Sequence, residues 1–345
     1  MYDSYKPWPK GEWQLQRVFK FDQVKPIRNL TCTNNGVALI WMVLPIQPKT
    51  ARLIGEERDK GVNDGGPASQ SFVEKLHFAR SQARSLEQMS AGGDFFRFSA
   101  DRLIQIDIAL ADPLSVADSW LVDEGNVRGL ARHLERFARS ITDEVTTSQL
   151  PQFFDAVRQT LPRTGSWFPR IEYRADQPVG ERLFLRIREA PERSEFCKFW
   201  TLDEPDPRST PLIKGPDLSL CQKLRRMANL HGADEAVLLA DGYIADGALS
   251  AIVWWHNDVL HAPDETTPWL PSITREFVFE LAEQAGFETK TVRAKPENLE
   301  GAEVWSLSSL QGIRGVTKWD ELRLGELKRL GSFRKRLALL SEPIS

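Results

Sequence analysis

Gly232-Ala-Asp-Glu-Ala-Val-Leu-Leu-Ala-Asp-Gly-Tyr-Ile-Ala-Asp-Gly-Ala-Leu-Ser250 is the stretch on which the reading of this 345-residue chain turns. The apolar run at 236–239 reads as a short strand, and Asp241-Gly242 and Asp246-Gly247 as turn signals after it. Upstream, 217–230 has helical spacing and ends at His231-Gly232. Downstream, short strands are expected at 252–255 and 259–260, parted by Asn257-Asp258. A helix follows over 272–286 with Phe277, Leu281 and Ala282 on its inner face, then a strand at 304–307 and a helix over 320–340.

The chain before residue 205 carries the same mixture. Residues 95–108 and 114–122 are rich in strand formers, and 171–173 and 183–187 read as further strands, the second closed by Ala190-Pro191. Helices are expected over 127–141, with Leu130, Leu134, Phe137 and Ile141 on one stripe, and over 150–161. This pattern is α+β with mixed sheets, not the alternating array of a doubly wound fold.

The first 88 residues differ: they carry a net charge of +4, the remainder −7. Here Gly61-Val-Asn-Asp-Gly-Gly-Pro67 reads as a loop, 71–86 as one helix, and Ser90-Ala-Gly-Gly93 as a flexible joint. The net charge of −3 argues against a nucleic-acid partner recruited by bulk charge. Cys32, Cys197 and Cys221 are far apart and odd in number, which fits reduced thiols in the cytoplasm. Charged residues interrupt the start before any secretory apolar stretch. The longest apolar run, 37–46, is too short to span a bilayer. No P-loop, no G-x-G-x-x-G after a strand, no C-x-x-C, no H-E-x-x-H and no G-x-S-x-G occurs, and five scattered histidines do not suggest a metal site.

Three local features carry chemistry. Thr210-Pro-Leu-Ile-Lys-Gly-Pro-Asp217 delivers Lys214 from an apolar run to a turn before a helix. A desolvated lysine has a lowered pKa and a nucleophilic amine; a rim lysine that snorkels is the plainer alternative. Leu270-Pro-Ser-Ile-Thr-Arg275 runs into a helix, where free N–H groups make an anion site, or Ser272 or Thr274 makes an ordinary cap. Ala302-Glu-Val-Trp-Ser-Leu-Ser-Ser-Leu-Gln-Gly-Ile-Arg314 ends a strand in a loop rich in hydroxyls and amides, which is also what a plain polar loop offers.

In this order the three features resemble the class IV aminotransferase family, the pyridoxal-phosphate enzymes of fold type IV, which include branched-chain and D-amino-acid aminotransferases and 4-amino-4-deoxychorismate lyase. Residues 94–335 carry the likeness. Lys214 precedes Ala233 by 19 residues, the family's spacing for its cofactor lysine. Ala117-Asp-Ser-Trp-Leu-Val and Arg132-His-Leu-Glu-Arg-Phe137 look like the family's first strand and its His-Leu-x-Arg helix.

The resemblance implies a two-domain α+β fold with an extra N-terminal segment: an extension over 1–93, a small domain over 94–205 and a larger cofactor-binding domain over 206–345. It implies pyridoxal 5'-phosphate held covalently by Lys214. Arg136, Ile273, Thr274 and Ser309 fall on phosphate-binding positions. Asp246 falls where the family has a glutamate facing the pyridine nitrogen. That aspartate, Ala251 in place of an asparagine and Ser219 in place of an aromatic are departures from the family pattern. The Ser-Ser-Leu-Gln-Gly-Ile-Arg loop is closer to the lyase than to branched-chain enzymes, so a lyase-like elimination of pyruvate giving 4-aminobenzoate is expected first. A branched-chain or D-amino-acid transaminase comes second, and a cofactor-binding relative without turnover third. A small-molecule amino substrate with two carboxylates needs cations, for which Arg314 and Arg186 are candidates, with Arg170 and Arg188. A homodimer is implied as well. The family pattern begins only at Phe95, and Met89 stands at the joint, so residues 1–88 are expected to be dispensable for cofactor chemistry.

Overall fold

The computed structural model describes residues 93–107 and 113–345; before them only the backbone of four short strands is described. Of these, Tyr2–Pro7 pairs antiparallel with Trp13–Val18, and Thr31–Cys32 with Ala38–Leu39. The expected loop at 61–67, the helix at 71–86 and the packing of the apolar run at 37–46 lie outside the described residues.

From residue 94 the chain builds two main sheets. The first has five antiparallel strands in the order Arg102–Gln105, Asp94–Ser99, Leu183–Ile187, Arg170–Tyr173 and Val116–Ser119. The helices Leu130–Arg139 and Glu144–Thr160 contribute to its core, where Phe98, Phe137 and Phe153 pack among Leu150, Val157 and Ile171. The first helix starts later than expected, because Asn126–Arg128 is a strand. The second starts earlier. Asp143 accepts from the Thr146 N–H and fixes the start at Glu144, so Pro151 lies inside the helix.

The second sheet has eight strands in the order Tyr243–Gly247, Glu235–Ala240, Phe196–Thr201, Gly312–Trp319, Glu303–Ser308, Ala251–His256, Val259–Pro263 and Glu288–Val292. Phe196–Thr201 runs parallel to both its neighbours and Val259–Pro263 parallel to Glu288–Val292; the other pairs are antiparallel. The expected mixed α+β pattern thus holds, with local corrections. Asp246-Gly247 is not a turn: both residues lie in the strand Tyr243–Gly247, where a register shift beside Leu239 accommodates them. The terminal helix covers only Leu330–Ala338 of the expected 320–340. The strands Phe196–Thr201 and Gly312–Trp319 were not expected. The first falls before residue 205, the expected boundary, yet belongs to the eight-stranded sheet.

The helices Leu218–Leu230 and Ile273–Gln284 pack on this sheet. Trp255, Trp305 and Phe333 form an edge-on aromatic cluster with Val278 and Leu281 in the same core. Arg132 joins the two halves: its guanidinium grips both oxygens of Glu280 at 2.6 and 3.0 Å and lies over the Phe277 ring at 4.2 Å. That contact sets the helix Leu130–Arg139 against the start of Ile273–Gln284. No helix among the described residues is long and apolar enough to cross a membrane.

Candidate active site

Lys214 rides on a loop locked at both ends. Asp217, just before the helix Leu218–Leu230, turns its carboxylate back: Oδ1 accepts from the N–H and hydroxyl of Ser209, Oδ2 from those of Thr210. The Lys214 carbonyl accepts from the Ala117 N–H at 2.6 Å, which ties the loop to the edge strand Val116–Ser119. Gly215 makes that approach possible. Its φ is +138°, and a Cβ there would stand 2.8 Å from the Ala117 nitrogen. The Lys214 amine lines an open cavity and makes no hydrogen bond or ion pair among the described residues. Burial, aided by the Arg136 charge, holds it below the ordinary lysine value against the pull of Asp118 and Asp246.

At one end of this cavity stands Arg136. Its Nε and Nη2 donate to the two oxygens of Asp118, both at 2.8 Å, and its Nη1 donates to the Pro271 carbonyl at 2.6 Å. His133 lies 2.8 Å from the same Asp118 carboxylate. Burial alone would raise the Asp118 carboxyl, but Arg136 and His133 hold it well below the usual range. Beside Arg136 the helix Ile273–Gln284 begins. Ser272 caps it by accepting from the Arg275 N–H. The Ile273 and Thr274 N–H groups stay free among the described residues, as the first donors of a helix do. Ser309, in the turn after Glu303–Ser308, lines the same cavity.

Asp246 lines the cavity too. Its Oδ2 accepts from Arg208 Nη1 at 3.1 Å and from the Leu270 N–H at 3.0 Å, and its Oδ1 has no partner among the described residues. Burial pushes this carboxyl up, and Arg208 opposes the push. Arg208 is itself held by Asp206 and by the Pro268 carbonyl at 2.9 Å. Behind Asp246, the Ser250 hydroxyl donates to the buried Glu235 carboxylate at 3.0 Å. Cys221 also lines the cavity, but burial pushes its thiol up to about 12, which keeps it an unreactive thiol.

The sequence profile of the amino-transferase class IV family matches residues 115–319, more than half of the chain. The chain belongs to that family. The class IV aminotransferase stretch is 32% identical over 102 residues to the aminodeoxychorismate lyase of Bacillus subtilis, covering 29% of this chain and 35% of that protein. It is 33% identical over 112 residues to the branched-chain-amino-acid aminotransferase of Salmonella typhimurium, covering 32% and 36%. The matched stretches thus span about a third of the length of these relatives. The fold is that of a hypothetical aminotransferase from Mycobacterium tuberculosis in its PLP-bound form, with a TM-score of 0.58, 18% identity, and 72% and 98% of the two chains covered. The Escherichia coli branched-chain amino acid aminotransferase gives a TM-score of 0.59 at 18% identity, covering 70% and 92%.

Within this class IV aminotransferase fold, Lys214, Arg136, Asp246, Ile273, Thr274 and Ser309 line one cavity. Arg186 and Arg314 do not line it. Arg186 pairs in register with Arg170 on the five-stranded sheet. Arg314 donates to the Ser306 hydroxyl at 3.2 Å, its Nε buried without a partner among the described residues. Arg170 serves the buried Glu172 together with Arg174, and Arg188 donates to the Phe168 carbonyl and stacks on its ring. Sequence reasoning missed Asp118, His133 and Arg208. The first two were legible as part of the strand and of His-Leu-x-Arg, but only packing joins them. For Arg208 the signal is chemical: a buried aspartate needs a cation nearby.

Proposed function

We propose that the cavity holds pyridoxal 5'-phosphate and that the chain is an enzyme using it on a small amino substrate. The unpartnered, desolvated amine of Lys214 carries this reading, because it shares one cavity with Arg136, with the helix start at Ile273 and with the Asp246 carboxylate. The donor set fits the group. Arg136, the free N–H groups of Ile273 and Thr274 and the Ser309 hydroxyl suit a phosphate. The free oxygen of Asp246 suits a protonated ring nitrogen. Bound there, the cofactor supplies an electron sink that acidifies a C–H bond of the substrate amine.

The protein's own groups divide the remaining work. Asp118 fixes the Arg136 guanidinium through its Nε and Nη2 where that side chain lines the cavity. Asp246, paired with Arg208 at 3.1 Å, would offer its remaining oxygen to the ring nitrogen. Lys214 Nζ, with a larger neutral fraction than an exposed lysine, would hold the cofactor at its aldehyde and serve as the base that moves the substrate proton. The favoured reaction is the lyase-like one, elimination of pyruvate from 4-amino-4-deoxychorismate to give 4-aminobenzoate, supported by the Ser308-Ser-Leu-Gln-Gly-Ile-Arg314 loop and the likeness to the Bacillus subtilis lyase. Transamination of a branched-chain or D-amino acid is the second reading, supported by the likeness to the branched-chain enzymes.

One spectrum tests the reading. The purified protein with the cofactor should show a band near the visible edge that borohydride collapses, fixing the cofactor covalently; Lys214→Ala should lose both that fixation and all turnover. Fixation in Lys214→Ala would overturn the assignment. Release of pyruvate from aminodeoxychorismate separates the lyase from a transaminase, whose band an amino donor alone bleaches. A band that no substrate alters would mark a relative without turnover.

A further inference from the structure

Residues 264–272, Asp-Glu-Thr-Thr-Pro-Trp-Leu-Pro-Ser, connect the strand Val259–Pro263 to the helix Ile273–Gln284. The backbone of this connection serves two charged side chains of the Lys214 cavity. The Leu270 N–H donates to Asp246 Oδ2 at 3.0 Å, and the Pro271 carbonyl accepts from Arg136 Nη1 at 2.6 Å. Arg208, the partner of Asp246, donates to the Pro268 carbonyl at 2.9 Å. Adjacent residues thus hold the carboxylate and the guanidinium, so a shift of the connection would move both. What fixes the connection is Arg275, whose buried side chain folds back from the first turn of the helix. Its guanidinium lies over the Trp269 ring at 3.8 Å, and its Nη2 donates to the Pro263 carbonyl at 3.2 Å. Trp269 Nε1 in turn donates to the Asp264 carbonyl at 2.8 Å, which closes the loop on itself. Arg275 makes no ion pair among the described residues. Burial pulls its guanidinium down to about 10 against the pull of Asp246, so it stays cationic at neutral pH.

A cation buried without a carboxylate costs stability, and an apolar side chain of similar volume would fill the same space without that cost. What the apolar side chain lacks is the planar fork, which stacks on an aromatic face while its edge donates to a carbonyl. We propose that Arg275 is a positioning residue for the cofactor chemistry. By tying Pro263 to the Trp269 face it holds the Leu270 N–H on Asp246 and the Pro271 carbonyl on Arg136, and so sets the spacing between that carboxylate and that guanidinium. The use of this spacing rests on the reading of the Lys214 cavity; the clamp itself does not.

One arm of the experiment needs no cofactor. Amide exchange over 268–272 is read from Trp269, Leu270 and Ser272, because Pro268 and Pro271 carry no amide hydrogen, and of the three only the Leu270 N–H has an acceptor among the described residues. In the cofactor-free protein, Arg275→Met and Trp269→Leu should each speed that exchange by about tenfold or more, while the helix amides 278–284 keep their rates. Trp269→Phe, which keeps a ring face, should speed it by less than about threefold. In the other arm the protein is titrated with deoxypyridoxine 5'-phosphate, a cofactor analogue without the aldehyde. Arg275→Met should weaken it by about tenfold, and by at least about threefold less beside Asp246→Asn, as expected of a residue that acts through that carboxylate. Exchange over 268–272 within about twofold of the unaltered protein in both Arg275→Met and Trp269→Leu overturns the proposal. So does exchange that quickens equally over 278–284, which would make Arg275 a general stabiliser of the fold, and so do fully additive effects of Arg275→Met and Asp246→Asn on the analogue. Should Arg275→Met fail to fold, the two Trp269 variants decide by the same exchange readings. An unaltered protein that takes up no analogue sinks the cofactor reading alone, because the exchange arm still decides the clamp.

Discussion

Lys214 and Asp118 are the two residues whose titration ties the site to the stability of the fold. The Lys214 amine has a folded pKa below its ordinary 10.5. The unfolded chain therefore binds that proton more readily, so the lysine costs stability at pH values under 10.5 and the cost fades as the pH rises through that value. Lys214→Met should raise the melting temperature of the cofactor-free protein at neutral pH, by roughly 2–4 °C for about 1 kcal/mol recovered. A lower melting temperature would show that the amine is not strained by burial. Asp118 has the opposite sign. Its folded pKa is depressed below 3.8, so its contribution is complete above that value and is lost as the pH falls towards the folded one. Asp118→Asn leaves Arg136 and His133 facing a neutral amide; about 3–5 kcal/mol should go, with the acid-unfolding midpoint moving up, as a pH series of urea melts would show. Arg136 was readable from its motif and its pairing with Asp118 was not, because the two are 18 residues apart and meet only when the strand Val116–Ser119 packs on the helix.

At the scale of elements, the lysine loop works only because Gly215 lets it touch the strand Val116–Ser119. Gly215→Ala puts a side chain at a positive φ and into the backbone of Val116 and Ala117, where the neighbours cannot give way. Roughly 2 kcal/mol or more of stability should be lost, and the cofactor should fail to form its borohydride-sensitive band; a variant with unchanged band and melting temperature would mean the loop is not set by this contact. The helix starts after Asp217 and Ser272 were legible within a residue, while the second of these helices ends at Gln284, two residues before the expected 286. The helix expected from 150 begins six residues earlier, because the Asp143 cap sets its start at Glu144 and Pro151 is carried inside it. Phe196–Thr201 and Gly312–Trp319 were missed for a different reason. Their residues are a mixture of charged, small and aromatic side chains, and what makes them strands is the hydrogen-bonding partner on either side, not their own periodicity.

On the scale of the whole molecule, the chain divides into two units, residues 1–83 and 84–345. A chain started at Met89 should therefore fold, run as a dimer by light scattering and hold the cofactor. An insoluble product, or a soluble one that cannot bind the cofactor, would make the extension part of the enzyme. The centre of the eight-stranded sheet has a consequence of another kind. Phe196–Thr201 is flanked by Glu235–Ala240 and Gly312–Trp319, and the second of these is made more than a hundred residues later. On a ribosome adding about 5–20 residues each second, the strand waits on the order of ten seconds with one edge open. Through that interval a nascent chain exposes the Phe196 and Phe199 edge to any other strand in reach, which is the situation that holdase chaperones exist to manage. Arg128 waits longer still for Ser341 to arrive opposite it. The lysine loop and the strand it leans on have emerged by then, so during synthesis the Lys214 cavity gains its first walls well before the strand pair at Arg128 and Ser341 is closed.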